Sequence, residues 1–402
     1  MVLILSGHKL SLQNALNKVF KALGKVFEVP TASAYCQARQ KIKAEVFVAL
    51  NQSVVADFYE LYGAEQQVER WHGHRLLGAD GTYLNLPDTP ALRQAFSVHR
   101  NQRPKEKQAT VQALGMVLYD LRNDIGVRGG LAPSHSAEKN ILFEQLWGEL
   151  EGGDVLVLDR HSADYTIIAQ AVKAKIGVVI RCPRQSFKAV MDFFASRQRE
   201  RLVTLSVPQS SRTQKYVREQ ELPETVEVRL LKFKLETGEE EVLLTTLCDQ
   251  KKYRRKEFYE VYGWRWGDET YYDRLKNIFE LERFSGNCEE SIKQEFYGVI
   301  FLATLESVLS RETESALQAA AVERQTKTVP QVNHAVSYVA LSAEVANLLG
   351  NRTQSVSEIL RELRHLFRQT PTRLRNGRKY PREKSSAALQ LRYHRYRKRV
   401  LA

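Results

Sequence analysis

Cysteine is scarce and dispersed. Cys36, Cys182, Cys248 and Cys288 are the only four in 402 residues, and no two of them form a CxxC pair. That spacing argues against a zinc site or a disulfide framework and fits a reducing cytoplasm. No apolar run approaches the roughly 20 residues that a bilayer-spanning helix needs. The opening MVLILSGHKL is apolar only briefly; it has no basic n-region and no adequate h-region, so no signal peptide is expected. Internal repeats are missing, and so is low-complexity sequence before the C-terminal end. Acidic residues are nearly missing from that end: residues 361–402 hold fourteen Lys+Arg against Glu362 and Glu383, which accounts for +12 of the formal +13.

What is present suffices for a large fold. A hydrophobic content of 43% supports a sizeable core, and the length suggests two to three domains at roughly 150 residues each. The arginine-rich end, RHLFRQTPTRLRNGRKYPREK followed later by RYHRYRKR, suits a polyanion, because neutralised phosphates release counterions. Its alternative is a solubilising tail. Tyr380, Tyr393 and Tyr396 within it could stack on bases or pack a short helix.

Periodicity divides the rest of the chain. Residues 1 to about 70 carry apolar side chains at three-four spacing, as in ALNKVFKALGKVF and KAEVFVALNQSVVADFYELYG, which predicts helices. From residue 72 the texture changes. HRLLGADGTYLNLPD and TVQALGMVLYDLRNDIGVRGGLAP read as strands, AEKNILFEQLWGEL as a helix, DVLVLDR as a short buried strand, and DYTIIAQAVKAKIGVVIRC as helix then strand. Strands followed by alternating helix and strand indicate an α/β layer. Residues 190–250 are strand-rich, with ETGEE as a hairpin turn, and look like a β insertion. The helical KEFYEVYGWRWGDETYYDRLKNIFELERF and EESIKQEFYGVIFLATLESVLSRE follow.

Three acids stand where rigid elements deliver them. Asp80 lies inside an apolar strand, where an unpaired carboxylate costs several kcal/mol unless something compensates it. Asp159 ends VLVLD, the usual exit point for site residues in an α/β layer. Glu269 shares a helical stripe with Tyr262, Arg265 and Lys276, at steps of nearly whole turns. Carboxylates converging from separate elements are what two Mg²⁺ ions need for chemistry on phosphodiesters. Plainer readings stay open: Asp80 as a DG turn, Asp159 as a helix cap with Asp154 and Asp164 as competitors, and the stripe as a salt-bridge ladder. Asp268 points about 100° off the stripe, and Glu260 lies too far back to share it.

The stripe is a Tyr-x2-Arg-x3-Glu-x6-Lys pattern, and on it the chain resembles the DDE transposases of bacterial insertion sequences marked by that signature. GADGTYLNLPDT is similar to the family's first-aspartate strand, and LVLDRHSADY to its second-aspartate segment with Arg160 following. LERFSGNCEESIKQEFYGVIFLATL is similar to the stretch after the signature, and TASAYCQARQKIKAEVF to the entry region, so the resemblance spans roughly residues 30 to 310. One departure is Asp159-Arg160-His161-Ser162, where relatives commonly read Asp-Arg-Gly-Tyr; His161 is therefore expected to be structural or solvent-facing.

The resemblance implies a ribonuclease H-like core with Asp80, Asp159 and Glu269 as catalytic residues and metal ligands, two Mg²⁺ ions as cofactors, and Mn²⁺ as a substitute. It implies that Arg265, Lys276 and Arg160 contact DNA, with Tyr262 supporting a phosphate or the arginine; Trp264 and Trp266 are expected to pack the helix on the sheet. The expected organisation is an N-terminal helical DNA-binding region (1–70), the first part of the core (71–190), a β insertion (191–250), the catalytic-glutamate helix and the helix after it (251–320), and a basic helical C-terminal segment (321–402). The expected activity is cleavage and strand transfer at the ends of an insertion sequence, with terminal inverted repeats and target DNA as double-stranded partners. A homodimer on DNA, no membrane, and a nucleoid-associated cytoplasmic location complete the expectation. The alternatives are a nuclease on the same fold and a catalytically inactive DNA-binding relic of a transposon.

Overall fold

The short apolar run VLVL, residues Val155–Leu158, is buried along its whole length. A strand of that kind belongs at the centre of a sheet covered on both faces, and a computed structural model of the chain puts it there. The structure describes residues 1–6, 11–100, 109–235, 238–326, 328–349 and 355–373. Most of the arginine-rich tail, with its three tyrosines, lies outside them.

Among the described residues one mixed sheet has nine strands: β1 (Leu76–Asn85), β2 (Val98–Arg100), β3 (Ala109–Asp120), β4 (Ile125–Pro133), β5 (Val155–Leu158), β6 (Gly177–Cys182), β7 (Glu200–Ser206), β8 (Thr225–Lys234) and β9 (Glu240–Thr245). Their order is β2-β3-β1-β5-β6-β9-β8-β7, with β4 also on β3. β1, β5 and β6 run parallel, paired Leu76↔Val155 and Val155↔Gly177. β3 runs antiparallel to β1, and β4 to β3. Together with many helices this makes a mixed α/β fold. The strand-rich segment read as an insertion forms no layer of its own: β9 pairs antiparallel with β6, Val179↔Thr245, and the segment widens the same sheet.

Contacts divide the chain into two units, residues 47–304 and residues 1–46 with 305–402. In the first unit, Leu76, Val155, Val157 and Val179 on one face of the sheet form an apolar cluster with Phe258, Val261 and Tyr262 of the helix Glu257–Trp264. Phe258 and Val261 are fully buried, each burial stabilising by about 1.5 to 3 kcal/mol. The helix read as continuous through the signature is interrupted at Arg265. There Arg265 N bonds Tyr262 O and Asp268 N bonds Arg265 O, three residues apart rather than four, and a second helix runs Trp266–Asn277. In the other unit the helix Val356–Gln369 starts with a Ser355/Glu358 capping box and buries Ile359, Leu363 and Phe367. Its buried Glu306 is paired by His334 Nδ1 at 3.0 Å and by the Ser337 hydroxyl, as a carboxylate with no solvent exposure requires. Among the described residues no helix is long and apolar enough to cross a membrane.

Candidate active site

Side chains alternate across a strand, so Leu76, Gly78 and Asp80 share one face of β1, while Val155, Val157 and Asp159 share one face at β5. The register pairs Leu76↔Val155 and Gly78↔Val157. Two residues further along the same offset come Asp80, midway along β1, and Asp159, just past the end of β5, near enough that the Asp159 charge acts on Asp80. The β5–β6 register, Val157↔Val179, continues the row to Arg181. The row lies on the face that the helix Glu257–Trp264 covers, because Leu76, Val155, Val157 and Val179 pack against that helix.

Glu269 reaches the row through Arg265. The guanidinium of Arg265 stands 3.5 Å from Asp80 Oδ2 and 3.2 Å from Glu269 Oε1, so a single planar fork holds those two oxygens within about 9 Å of each other. Arg265 is buried. Burial opposes its charge, but Tyr262, Glu269 and Asp80 outweigh that and raise its pKa. Burial also raises the pKa of Asp80, and the nearby Asp159 and Glu269 raise it further; Arg265 and the Gly81 N–H oppose them.

The plainer readings resolve residue by residue. Asp80-Gly81 is no turn, since both sit mid-strand opposite Val117 and Met116 of β3. Asp159 does cap a short turn, accepting from His161 N at 2.8 Å and Ser162 N at 3.3 Å, and this role holds its carboxylate in the row. Asp154 is buried in a two-pronged pair with Arg75, at 2.8 and 2.6 Å. Asp164 caps the helix Tyr165–Lys173 and pairs with Lys139 at 2.9 Å. Both competitors are thereby committed to structure. His161 is exposed, with Nδ1 2.7 Å from Asp159.

The signature's remaining residues scatter from the expected stripe. Tyr262 is buried in the core cluster with the Arg265 guanidinium 5.5 Å from its ring centre, so it supports the arginine and is covered from any phosphate. Arg265 itself is turned onto the two carboxylates rather than outward. Lys276 donates to the Tyr83 carbonyl at 2.8 Å, half-buried at the far end of β1, and burial lowers its pKa. Arg160 is exposed beside Asp159. Of the two tryptophans, Trp264 packs at the core cluster beneath the Arg122 guanidinium. Trp266 does not cover the sheet; it stands 52% exposed because the break at Arg265 resets the helix.

Three contributors escaped the sequence reading. Asp268 does point off the stripe, but into the sheet: it is buried with Oδ2 unpartnered. A Cβ on Gly78 would lie 2.6 Å from its Oδ1. Burial first, then Asp80 and Glu269, hold its pKa well above the usual carboxylate range. Glu138 packs over Gly81, where a Cβ would lie 2.7 Å from its Cδ, and burial, Asp80 and Asp159 raise its pKa. Tyr272 inserts its hydroxyl between β1 and β3, donating to Asp80 O at 2.6 Å and accepting from Val117 N at 2.8 Å. The signal in the sequence was Gly78 and Gly81 flanking Asp80, each leaving room for another side chain.

The donor set suits a hard divalent cation: oxygen ligands only, with burial first and neighbouring carboxylates second raising the pKa of Asp80 and Glu138. As they stand, no three Asp, Glu, His or Cys side chains among the described residues meet closely enough to hold a metal ion, and Arg265 supplies the positive charge between Asp80 and Glu269.

No family model and no curated protein matches the chain. Among solved structures, the cryo-EM structure of the piggyBac transposase synaptic complex with hairpin DNA matches over 90% of this chain and 69% of that one, at 9% identity and a TM-score of 0.39. So shallow an overlap adds nothing to the reading of the site, which rests on the chain's own residues.

Proposed function

We propose that the chain is a DDE transposase that cleaves DNA at the ends of an insertion sequence and joins the freed strand to a target. The observation that carries this is the parallel pairing of β1 with β5, whose register runs toward Asp80 and Asp159, with Glu269 tied to Asp80 through one guanidinium. The order β4-β3-β1-β5-β6, three parallel strands flanked by two antiparallel ones on one side, supports a ribonuclease H-like core.

Asp80, Asp159 and Glu269 would hold Mg²⁺, which when bound activates a water or a 3′-hydroxyl and stabilises the leaving oxygen. The chain's own residues do the rest. Tyr272 fixes the Asp80 backbone through its carbonyl, and the Asp159 cap fixes the second carboxylate against the strand end. Arg265 neutralises the acids until a cation arrives and keeps Glu269 near the row. Arg160, exposed beside Asp159, would contact a phosphate at the rim, whereas Lys276 is committed to the Tyr83 carbonyl. Transposition needs two DNA ends held together, so two copies of the chain would act on them.

The test is Glu269→Gln on DNA carrying the element's ends. The amide keeps the shape and loses the charge a hard cation needs, so Mg²⁺-dependent nicking should disappear while binding to the same DNA stays within about two-fold, as for a neutral surface change. Nicking at wild-type rate would refute the assignment. Pre-cut ends then separate a transposase, which joins them to target DNA, from a nuclease, which leaves them free.

A further inference from the structure

Two clefts open along the β6-β9-β8 side of the sheet. The one beside Asp159, about 570 Å³, is lined by Arg160, Arg181 and Arg184 but also by Glu239, Glu240 and Glu241, so its formal charge balances. The other, about 560 Å³, is lined by Arg199, Lys232, Lys234, Arg255 and Lys256 against Glu240 alone, a formal +4. Charge of one sign in a concave site focuses potential and gathers anions.

The cations of the second cleft are differently employed. Lys232 is buried and its ammonium is spent: it donates to the carbonyls of Phe194 at 3.0 Å and Ser196 at 2.8 Å, and lies 3.6 Å from Glu240. It contributes potential, not a contact. Arg255 is held from behind, stacked 5.1 Å over the Phe233 ring with Nη1 on the Lys232 carbonyl at 2.9 Å; that leaves most of its five donors unspent. Arg199, Lys234 and Lys256 are exposed, and among the described residues no carboxylate pairs with any of them in a salt bridge. Beside them Tyr259, on the helix Glu257–Trp264, is 50% exposed, its ring braced by Phe233 at 5.6 Å between ring centres.

We propose that this cleft seats one strand of DNA, with Arg199, Lys234, Lys256 and Arg255 on its phosphates and Tyr259 stacked on a base. Unpaired cations interleaved with an exposed aromatic ring are what sequence-tolerant binding of a single strand requires. The cleft shares no residue with the carboxylate row. Naming DNA as the polyanion rests on the proposed function; the surplus charge does not.

Fluorescence anisotropy with a labelled mixed-sequence oligonucleotide, single-stranded or annealed, measured from low to moderate salt, tests this on the full chain. Arg199→Ala/Lys234→Ala/Lys256→Ala should flatten the single-strand slope of log K against log salt by about 2, three phosphates at about 0.7 each. The duplex slope should move much less. Tyr259→Ala should weaken single-strand binding on the order of ten-fold with its slope unchanged. Swapping the charges conservatively, Arg199→Lys/Lys234→Arg/Lys256→Arg, should restore the wild-type slope, which a merely misfolded triple variant could not predict. An unchanged single-strand slope in the triple alanine variant overturns the cleft, and so does an equal loss on duplex. Mg²⁺-dependent nicking by the wild type, run in parallel, judges the proposed function separately: nicking with an insensitive slope sinks the cleft alone, and a sensitive slope without nicking sinks the transposase alone.

Discussion

Gly78→Ala tests whether the buried wall behind Asp80 is built as described. The added methyl carbon would stand 2.6 Å from Asp268 Oδ1 and 2.7 Å from its Cγ, well inside contact distance, and Asp268 has only 2% exposure and no room to retreat toward solvent. Overpacking of this kind costs about 1 to 3 kcal/mol. A loss near 2 kcal/mol should lower the unfolding midpoint by about 5 °C for a unit of this size. The clash has one identified partner, so truncating it should remove the penalty. Against an Asp268→Ala background, Gly78→Ala should cost under about 0.5 kcal/mol, and the coupling in a double-mutant cycle should reach at least 1 kcal/mol. Calorimetric scans of the wild type, the two single variants and the double variant, at one protein concentration and without divalent cations, provide the measurement. If the two substitutions add without coupling, Asp268 is not packed on Gly78 and the buried wall is wrong.

Three further outcomes follow from the same geometry. Asp268 has its pKa well raised in the folded chain; above the unfolded carboxylate pKa the unfolded state releases a proton that the folded state keeps, so stability from this group falls as pH rises. Without metal, Asp268→Asn should therefore stabilise the chain at pH 7 relative to wild type more than at pH 4, and a gain equal at both would refute the buried acid. Tyr272→Phe removes the hydroxyl that joins Asp80 O to Val117 N and should cost about 1 to 3 kcal/mol in urea unfolding, with the Val117 amide exchanging its hydrogen faster; unaltered exchange would show that the strands close up directly. Deleting residues 374–402 removes ten Lys+Arg against one acid and leaves the helix Val356–Gln369 whole. If the tail neutralises about half a dozen phosphates, its deletion should flatten the duplex salt slope by about 5, and an unchanged slope would make it a solubilising appendage.

The longer strands and their order of appearance were legible because each carries a local signal; the three-residue β2, Val98–Arg100, is too short to carry one. VLVL reads as buried on both faces from four apolar residues alone, and Asp159 follows it wherever the strand is placed. The Arg265–Glu269 pair was legible for the same reason, since four residues along a helix is a fixed distance. The charge asymmetry of the chain also needed no fold, only counting.

Other features depended on which segments meet. The strand-rich stretch around 200–245 has the same local pattern whether it stands apart or joins the main sheet; only the pairing of Val179 with Thr245 decided that it widens the sheet. Asp154 and Asp164 stood as competitors to Asp159 along the chain, and it took Arg75 and Lys139, brought from other segments, to commit those two to structure. Asp268 and Glu138 were invisible as site neighbours because each packs on a glycine near Asp80 from another element, a contact with no periodicity to announce it. Propensity, alternation and charge act within a few residues, and they were enough to set the elements and the residues capable of chemistry. Which carboxylates are crowded, which are neutralised and which arginine turns inward came only with the folded chain, because burial and charge coupling depend on distances between side chains far apart in sequence.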